Sequence, residues 1–540
     1  LSLKVKPLFS KLEKTFKLFY SMRQYVLTGR MHSQKLASKE ANIMSAYVLV
    51  IDQSTTSSSA FAFDINGTIL ANETQAFQQF FPQDGWVEHD ALEIWQSVLT
   101  SCRKLLQRDE LEGRECLGVG ITNQRETTVL WDRKTGMPIH KAIVWQDRRT
   151  AEICHGLAQT NAAEMVQAKT GLLLDPYFSA TKIAWTLDNV AGAREAAEAG
   201  ELAFGTMETW LIWNLTGGRH VSDYTNASRT SLLNIETGQW DEDLLRLFNV
   251  PAKVLPELSD NVAHFGDVLA EHFGLNVPIW GAIGDQQGAS FGQCCFEPGM
   301  IKSTYGTGCF VLVNTGANIL QSENRLLSTI AYSINGQRSY ALEGSIFMAG
   351  AIIQWLRDNL KLFEDARDTQ AMAIAADPAS RVIMVPAFTG LGAPYWEPDA
   401  RAAILGLTRD SGANEIVRAA LESVSLQTRD LIEAISGDLA SADLQRQDAL
   451  RVDGGMVAND WFIQNLGDLT GQKIERSATF ETTALGAASL VMLGAGVCKD
   501  MTELSSRWLC DGRFEPAIDD QDRDRKYADW KAAVAKVISA

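Results

Sequence analysis

A cluster of hydroxyl side chains follows an acidic residue near the start of the chain. The apolar run YVLVI ends at Asp52, and a polar turn and a second alternating segment come next. The hydroxyls belong to Ser54, Thr55, Thr56, Ser57, Ser58 and Ser59. Hydroxyls and turn N–H groups together form a concave set of donors for phosphate oxygens, and Asp52 would suit Mg²⁺, which prefers carboxylate and water oxygens. Taken alone, the segment also fits an ordinary Ser/Thr-rich hairpin.

A second polar turn opens the C-terminal half of the chain. The segment GMIKSTYGTGCFVLVNTG predicts a strand, a tight turn that contains Thr307, and a second strand. Glycines in such a turn let the backbone approach a ligand closely. No Walker A motif occurs in the sequence, and a strand rather than a helix follows YGTG, so this is not a dinucleotide-binding motif. Two similar turns therefore favour a phosphate site built from hairpins.

The segment RVDGGMVANDWF predicts a strand, a loop that contains Gly454 and Gly455, and a helix. A glycine pair in that place can form a nest of backbone N–H groups, and Asn459 would lie where it could face a base or ribose. A plain strand-to-helix turn explains the same residues.

A polyol site is indicated by charged and aromatic residues at the ends of three predicted elements. Arg125 and Glu126 stand together after one strand, Trp145 ends another, and Tyr177 precedes a helix. An Arg and a Glu can bond neighbouring hydroxyls as donor and acceptor, and an aromatic ring can cover a carbon skeleton. A surface ion pair with core aromatics is the alternative.

Asp285 ends the predicted strand VPIWGAIGD. Functional groups of α/β folds gather at the carboxyl ends of strands, and a carboxylate there can accept a hydroxyl proton during attack on a γ-phosphate. Phosphoryl transfer asks the protein mainly for positioning and charge neutralisation. A helix N-cap is the alternative role for this residue.

Strands and helices alternate from Ala46 onward and predict an α/β fold with two similar halves. The 540 residues exceed what one core supports, so we expect two domains of about 250 residues each. One hairpin from each half would reach into the cleft between them. We expect a basic extension over 1–43, an N-terminal domain over 44–294 with the polyol site, and a C-terminal domain over 295–540 with the adenosine site.

The composition of the chain indicates which kinds of partner it binds and in which cellular compartment it works. The net charge is −17, which argues against nucleic acid as a partner, because phosphate backbones need clustered Lys and Arg. No apolar run approaches about 18 residues, so no membrane span is expected. The eight cysteines form no Cys-x-x-Cys pair and read as reduced thiols of a cytoplasmic protein.

Residues 1–43 differ in kind from the remainder. They hold nine Lys and Arg residues against Glu13 and Glu40. An organellar transit peptide has this composition. Upstream sequence read before the true start is the alternative that we favour, because Met44 directly precedes SAYVLVID.

The chain resembles the FGGY family of carbohydrate kinases, in the actin-like ATPase superfamily, and within it the members that phosphorylate glycerol. The match runs from about residue 46 to the end. The motifs that carry it are IDQSTTSS, NQRETT, VWQDRR, GDQQ, STYGTGCF, EGSIFMAGAIIQWLRD, GLGAPYW and DGGMVAND, in that order. AAILGLTRDSGANEIVRAALE and YFSATKIAWTLDN are similar to two signatures of the family, the latter with Thr186 where an apolar residue is usual.

The resemblance implies two duplicated RNase H-like domains and transfer of phosphate from ATP to glycerol with Mg²⁺. Asp285 would be the catalytic base. The residues implied for glycerol are Arg125, Glu126, Trp145, Tyr177, Asp285, Gln286 and Phe310. The residues implied for ATP are Asp52, Ser54, Thr55, Thr56, Ser57, Thr307, Gly350, Gln354, Gly455 and Asn459. Asp52 would lie near Mg²⁺, directly or through water. We also expect a homo-oligomer, a dimer or a tetramer.

Two departures from the family pattern keep other functions open. The family usually has Gly where this chain has Ser54 and Arg where it has Ser59. If position 54 needs a positive φ, Ser costs on the order of 1 kcal/mol relative to Gly. Loss of a phosphate-facing Arg removes a contact worth about 1.5–3 kcal/mol. A kinase of another polyol or sugar, such as erythritol or a ketopentose, and an ATP-binding protein without transfer activity are the alternatives.

Overall fold

The computed structural model describes residues 45–397 and 399–539, and its first half is built on a five-stranded sheet. The prediction for residues 1–43 lies outside the described residues. The strands of the first half are β1 Tyr47–Gln53, β2 Ser57–Asp64, β3 Ile69–Ala76, β4 Gln79–Phe80, β5 Glu88–His89, β6 Cys116–Asn123, β7 Val129–Asp132, β8 Ala142–Ile143, β9 Leu202–Gly205, β10 Val221–Asp223, β11 Leu233–Asn234, β12 Gln239–Trp240, β13 Glu257–Ser259 and β14 Ile279–Gly284. The helices are α1 Ala91–Leu105, α2 Ala151–Ala158, α3 Ala162–Thr170, α4 Ser179–Asn189, α5 Ala193–Ala199, α6 Met207–Thr216, α7 Tyr224–Ala227, α8 Glu242–Leu247, α9 Ala270–Phe273 and α10 Asp285–Gly292, with 3₁₀ turns at Asp109–Leu111 and Ala252–Val254.

The second half is built on a seven-stranded sheet. Its strands are β15 Ile301–Tyr305, β16 Cys309–Gly316, β17 Leu327–Ile334, β18 Gln337–Ile346, β19 Ile383–Val385, β20 Ala403–Leu405, β21 Ala449–Asp453, β22 Lys473–Ser477 and β23 Cys510–Phe514. Its helices are α11 Gly350–Asp358, α12 Asp368–Ala375, α13 Ala413–Ser441, α14 Asp460–Thr470, α15 Thr482–Gly494, α16 Met501–Arg507 and α17 Asp520–Ile538, with a 3₁₀ turn at Gly455–Ala458.

The two large sheets repeat one topology. The first has the order β14-β6-β1-β2-β3, in which β1 runs antiparallel to β2 and parallel to β6. The second has the order β17-β18-β16-β15-β21-β22-β23, in which β15 runs antiparallel to β16 and parallel to β21. Each half thus opens with a hairpin at the centre of its sheet, as predicted. The domain limits 44–294 and 295–540 stay predictions.

Local sequence accounts for the elements that open the first half. Side chains of β1 alternate between two cores, because successive residues of a strand face opposite sides. Leu49 and Ile51 enter one core, and Val48 and Val50 enter the other. Asp90 caps α1, because its carboxylate accepts hydrogen bonds from the backbone N–H groups of Leu92 and Glu93, at 2.9 and 3.3 Å.

Helices α10 and α15 join the two halves at a close crossing. A Cβ added to Gly486 would lie 2.0 Å from the carbonyl oxygen of Gly288, and one added to Gly292 would lie 2.0 Å from that of Thr482. Only glycine permits backbones to approach this closely. Because α10 begins at Asp285, the position of that carboxylate depends on how α10 packs against α15.

The chain turns back at Gly136 and returns beside β7. The N–H of Asp132 donates to the carbonyl of Met137 and the N–H of Ile139 donates to the carbonyl of Leu130, each at 3.0 Å, and Pro138 forms an isolated bridge to Trp131. The regular ladder of β7 is the antiparallel one with β9, because proline lacks the N–H that a ladder needs. The eight cysteines are unpaired. Within the described residues, no helix has both the length and the apolar character to cross a membrane.

Candidate active site

The first polar turn is closed by hydrogen bonds of Ser54 and contacts Trp145, one of the aromatic residues predicted for the polyol site. The backbone N–H of Ser54 donates to the carbonyl of Ser57 at 2.9 Å, and its hydroxyl lies 3.0 Å from the same oxygen. The indole Nε1 of Trp145 donates to Oγ1 of Thr55 at 3.0 Å. The Trp145 and Tyr177 rings pack edge to face with centroids 5.6 Å apart. The turn and both aromatics therefore border one space.

The two unusual serines have different structural consequences. Ser54 is not among the described residues with positive φ, so the condition under which serine would be strained at this position is not met. Ser59 lies in β2 directly opposite Asp52. Its hydroxyl is 2.8 Å from Oγ1 of Thr74 in the neighbouring strand. Where the resemblance implies an arginine, this chain thus has a cross-strand hydrogen bond between Ser59 and Thr74.

Asp285 stands at the junction of β14 and α10 beside the Arg125–Glu126 pair. It is the first residue of α10, and Gly284 is the N-cap, so the carboxylate does not serve as the cap. Its Oδ1 lies 3.1 Å from Nε of Arg125 and accepts the backbone N–H of Gln286 at 2.7 Å. The side chain is 33% exposed, whereas Arg125 and Glu126 are buried. A buried pair therefore backs an accessible carboxylate.

The surroundings of Asp285 pull its pKa in two directions. Removal from water raises the pKa above its ordinary value, and the charges of Glu126 and Glu343 add to this rise. The Arg125 guanidinium and the Gln286 N–H offset part of it. The pKa stays raised, and a base with a pKa nearer the operating pH accepts a proton more effectively.

Asp52 is a buried acid with other carboxylates near it. Burial and the nearby carboxylates of Glu481 and Asp285 raise the pKa of Asp52 to about 8. Among the described residues, no three His, Cys, Asp or Glu side chains form a metal cage. Mg²⁺ with a nucleotide uses one or two carboxylates together with phosphate and water oxygens. The donor set at Asp52 fits such an ion, and Glu481 is a member that the sequence did not single out.

The second polar turn caps helix α11. Carbonyl oxygens of Gly306 and Thr307 accept the backbone N–H groups of Gly350 at 2.8 Å and of Ala349 and Ala351 at 3.0 Å. Gln354 lies one turn further along α11 and is exposed. The turn and the start of α11 thus form one unit, which the sequence predicted only as separate residues.

The Gly-Gly loop lies against the same unit. Gly454 has φ 92° and passes so close to Tyr305 that a Cβ would meet its carbonyl oxygen at 2.5 Å. Space around the Gly455 Cβ position is open. Asn459 caps α14 by accepting the N–H of Phe462 at 3.0 Å. Because its amide also donates to a threonine hydroxyl at 3.2 Å, its contact with ATP stays a prediction.

Lys302 is a buried cation of the site that sequence reasoning missed. Its Nζ donates to Oε1 of Gln286 at 2.8 Å, to the Thr304 hydroxyl at 3.1 Å and to the Phe310 carbonyl at 3.3 Å. The contact fixes the Gln286 amide with its NH₂ group turned away from Lys302. In the sequence, only the position of a lysine inside the predicted strand IKSTY could have indicated a buried charge here.

Arg229 and Glu343 are two more buried charges that the sequence did not indicate. Both contact the predicted polyol residues, and each has less than 2% of its side chain exposed. Glu343 interrupts an apolar strand, YALEGSI, and Arg229 follows a short helix. A lone charge within a strand was the only signal for Glu343.

Comparison with known proteins identifies close relatives over nearly the whole chain. Profiles of the FGGY family of carbohydrate kinases match residues 47–292 for the N-terminal domain and 301–495 for the C-terminal domain. A glycerol kinase of Alcanivorax borkumensis is 54% identical over 492 residues, 91% of this chain and 98% of the relative. One of Ectopseudomonas mendocina is 55% identical over 497 residues, 92% and 100% of the two chains.

Solved structures share the arrangement of the two halves. A crystal structure of Plasmodium falciparum glycerol kinase with ADP has a TM-score of 0.85 and 39% identity, and covers 91% of this chain and 98% of that one. A xylulose kinase from Lactobacillus acidophilus, at 20% identity, has a TM-score of 0.79 and covers 92% and 96%. These matches confirm the predicted fold class.

Proposed function

This chain belongs to the FGGY family of carbohydrate kinases, and from that membership we propose that it transfers the γ-phosphate of ATP to glycerol, a step of glycerol catabolism that yields sn-glycerol 3-phosphate. Identity above 50% to proteins named glycerol kinase supports the choice of acceptor. The observation that carries the proposal is the accessible Asp285 carboxylate 3.1 Å from Arg125, with the Trp145–Tyr177 wall nearby.

Acceptor chemistry follows from these groups. Arg125 and Glu126 bind neighbouring hydroxyls as donor and acceptor, and Gln286 donates its amide. Asp285 accepts the proton of the attacking hydroxyl, because its raised pKa makes it a better base than an ordinary aspartate. The aromatic rings of Trp145, Tyr177 and Phe310 cover the carbon chain. The residues orient a three-carbon alcohol, and orientation supplies much of the rate of such transfers.

The nucleotide contacts come from both halves. We assign the phosphates to the turns that contain Ser54, Thr55, Thr56 and Ser57 on one side and Thr307 on the other. We assign the remainder of the nucleotide to Gly350, Gln354, Gly455 and Asn459. Mg²⁺ held near Asp52 would neutralise phosphate charge. The homo-oligomeric state and the cytoplasmic location stay predictions.

A substrate panel tests the function. Purified protein is assayed with Mg-ATP and glycerol, erythritol, D-xylulose or D-ribulose, and ADP release is coupled to NADH oxidation. We expect the highest kcat/KM with glycerol. Turnover only with another polyol would assign a different acceptor, and ATP binding without turnover would contradict the kinase function.

Ser59→Arg is expected to tighten nucleotide binding. A restored cation facing phosphate adds a charge-assisted contact, so the Kd for ATP should fall by about tenfold or more. Ser54→Gly is the matched control. Ser54 has no positive φ to relieve, its hydroxyl is engaged within the turn 3.0 Å from the Ser57 carbonyl, and glycine keeps the backbone N–H groups, so the Kd should stay within about twofold. Calorimetry measures both, and an unchanged Kd for Ser59→Arg would mean that position 59 does not face phosphate.

A further inference from the structure

A row of alternating charges runs beneath the acceptor site. Nε of Arg229 lies 2.7 Å from Oε1 of Glu126, and its Nη2 lies 2.8 Å from Oε1 of Glu343. The two carboxylate oxygens of Glu343 also accept hydrogen bonds from Nη1 and Nη2 of Arg125, at 2.5 and 3.2 Å. The remaining Nε of Arg125 reaches Asp285 at 3.1 Å. Arg229 is thus shared between two acids, and Arg125 is shared among three, because its Nε also lies 3.8 Å from Oε1 of Glu126.

Burial makes this row sensitive to the loss of any member. Arg125, Arg229, Glu126 and Glu343 are each at most 2% exposed. An uncompensated charge at such a depth is strongly destabilising, whereas a paired one is tolerated. The row is therefore held in one arrangement, and the positions of Arg125 and Glu126 depend on residues that lie behind them.

Glu343 is the member that comes from the other half of the chain. It lies in β18, opposite Leu312 of β16 and Leu327 of β17, so paired strands flank it on both sides. Its two arginine partners belong to the N-terminal half. A carboxylate fixed in the middle of a sheet offers two oxygens in a constant place, which suits the planar fork of a guanidinium.

We propose that Glu343 and Arg229 are positioning residues of the acceptor site. Glu343 occupies the Nη edge of Arg125, which leaves only Nε for Asp285, and Arg229 holds the Glu126 carboxylate toward the polyol. This inference rests on the proposed function, because it concerns the residues assigned there to glycerol. It adds two groups that touch no substrate but set the geometry of those that do.

The arrangement also limits how strongly Arg125 can weaken the base. Without the Glu343 charge, the Arg125 fork is free to pair with Asp285 through two N–H groups. The charged groups that act on Asp285 are Arg125, Glu126, Glu343, Asp52 and Lys302. Since Glu343 raises the pKa of Asp285 and Arg125 lowers it, loss of Glu343 moves that pKa down.

Glu343→Gln tests the inference, with Glu422→Gln as the matched control. Glu422 is a partly buried acid that likewise joins two cations, Arg418 and Lys526, each at 3.1 Å. For Glu343→Gln we expect the glycerol KM to rise about tenfold or more, with the ATP KM within about twofold. The acid limb of the kcat–pH profile should move to lower pH. Glu422→Gln should move none of these.

Two further variants test the same inference. If Glu343→Gln fails to fold, Arg229→Lys is measured instead. One ammonium group cannot reproduce the guanidinium fork that spans two acids, so the same selective rise in glycerol KM is expected. Glu343→Asp should partly restore the wild-type KM. The inference would be overturned if the KM values for glycerol and ATP changed equally, or not at all, and the acid limb did not move.

The proposed function fails separately if the wild type prefers another polyol. The same comparison of KM values, made with that polyol in place of glycerol, then decides the inference.

Discussion

Asp285→Asn is expected to lower the kcat for glycerol by at least about 10²-fold, because general-base contributions typically span 10²–10⁴. The amide keeps the size of the carboxylate and can still accept the backbone N–H of Gln286, but it cannot take up the hydroxyl proton. ATP affinity should change by less than about threefold, since the residue is assigned to the acceptor. Steady-state kinetics and calorimetry with ATP measure the two effects on one protein.

The pH profile gives Asp285 a second test. Its pKa is raised, and the base works only when ionised, so wild-type kcat should fall as the pH falls through that pKa. The residual activity of Asp285→Asn should lack this limb. Asp241→Asn is the control, because Asp241 also has a cationic partner, Lys169 at 2.7 Å, and lies outside the site. Wild-type turnover in Asp285→Asn would remove the residue from the mechanism.

The parts of the fold that local sequence predicted share one property. The hairpin that begins at Tyr47, the hairpin that contains Thr307 and the helix after Asn459 are each decided by residues within a few positions of one another. Their alternation, capping and turn signals therefore appear directly in the sequence. The resemblance to the family then supplied the pairing of the two halves, which local signals predict only as a repeated pattern.

The positioning charges could not be predicted because their partners are distant in sequence. Glu343 meets Arg125 across 218 residues, and Arg229 meets Glu126 across 103 residues. Sequence patterns show only that a charge interrupts a strand, and not which cation satisfies it. The condition for strain at Ser54, a positive φ, is not met for a related reason, since φ there is set by the closed turn rather than by the residue type.

The crossing of α10 and α15 makes Gly486→Ala the second large effect. The new methyl would lie 2.0 Å from the Gly288 carbonyl oxygen, and a backbone atom cannot move aside as a side chain can. The helices must separate, at a cost at the upper end of overpacking, about 3 kcal/mol or more. Because α10 begins at Asp285, the base shifts as well, and a displacement near 1 Å can cost about 10²-fold in turnover. Thermal unfolding and glycerol kinetics measure both losses.

Gly156→Ala separates this clash from the general effect of replacing a helical glycine. Gly156 lies within α2, and apart from its chain neighbours and the helix's own backbone no heavy atom lies within 4 Å of the position its Cβ would take. That substitution should leave kcat unchanged and stabilise the protein by roughly 0.5–1 kcal/mol, because alanine loses less backbone freedom on folding. Opposite signs in the two variants are therefore expected. A Gly486→Ala protein with the Tm and kcat of the wild type would show that the two halves are not held by this crossing, and Asp285 would then owe its position to the sheet of the first half alone.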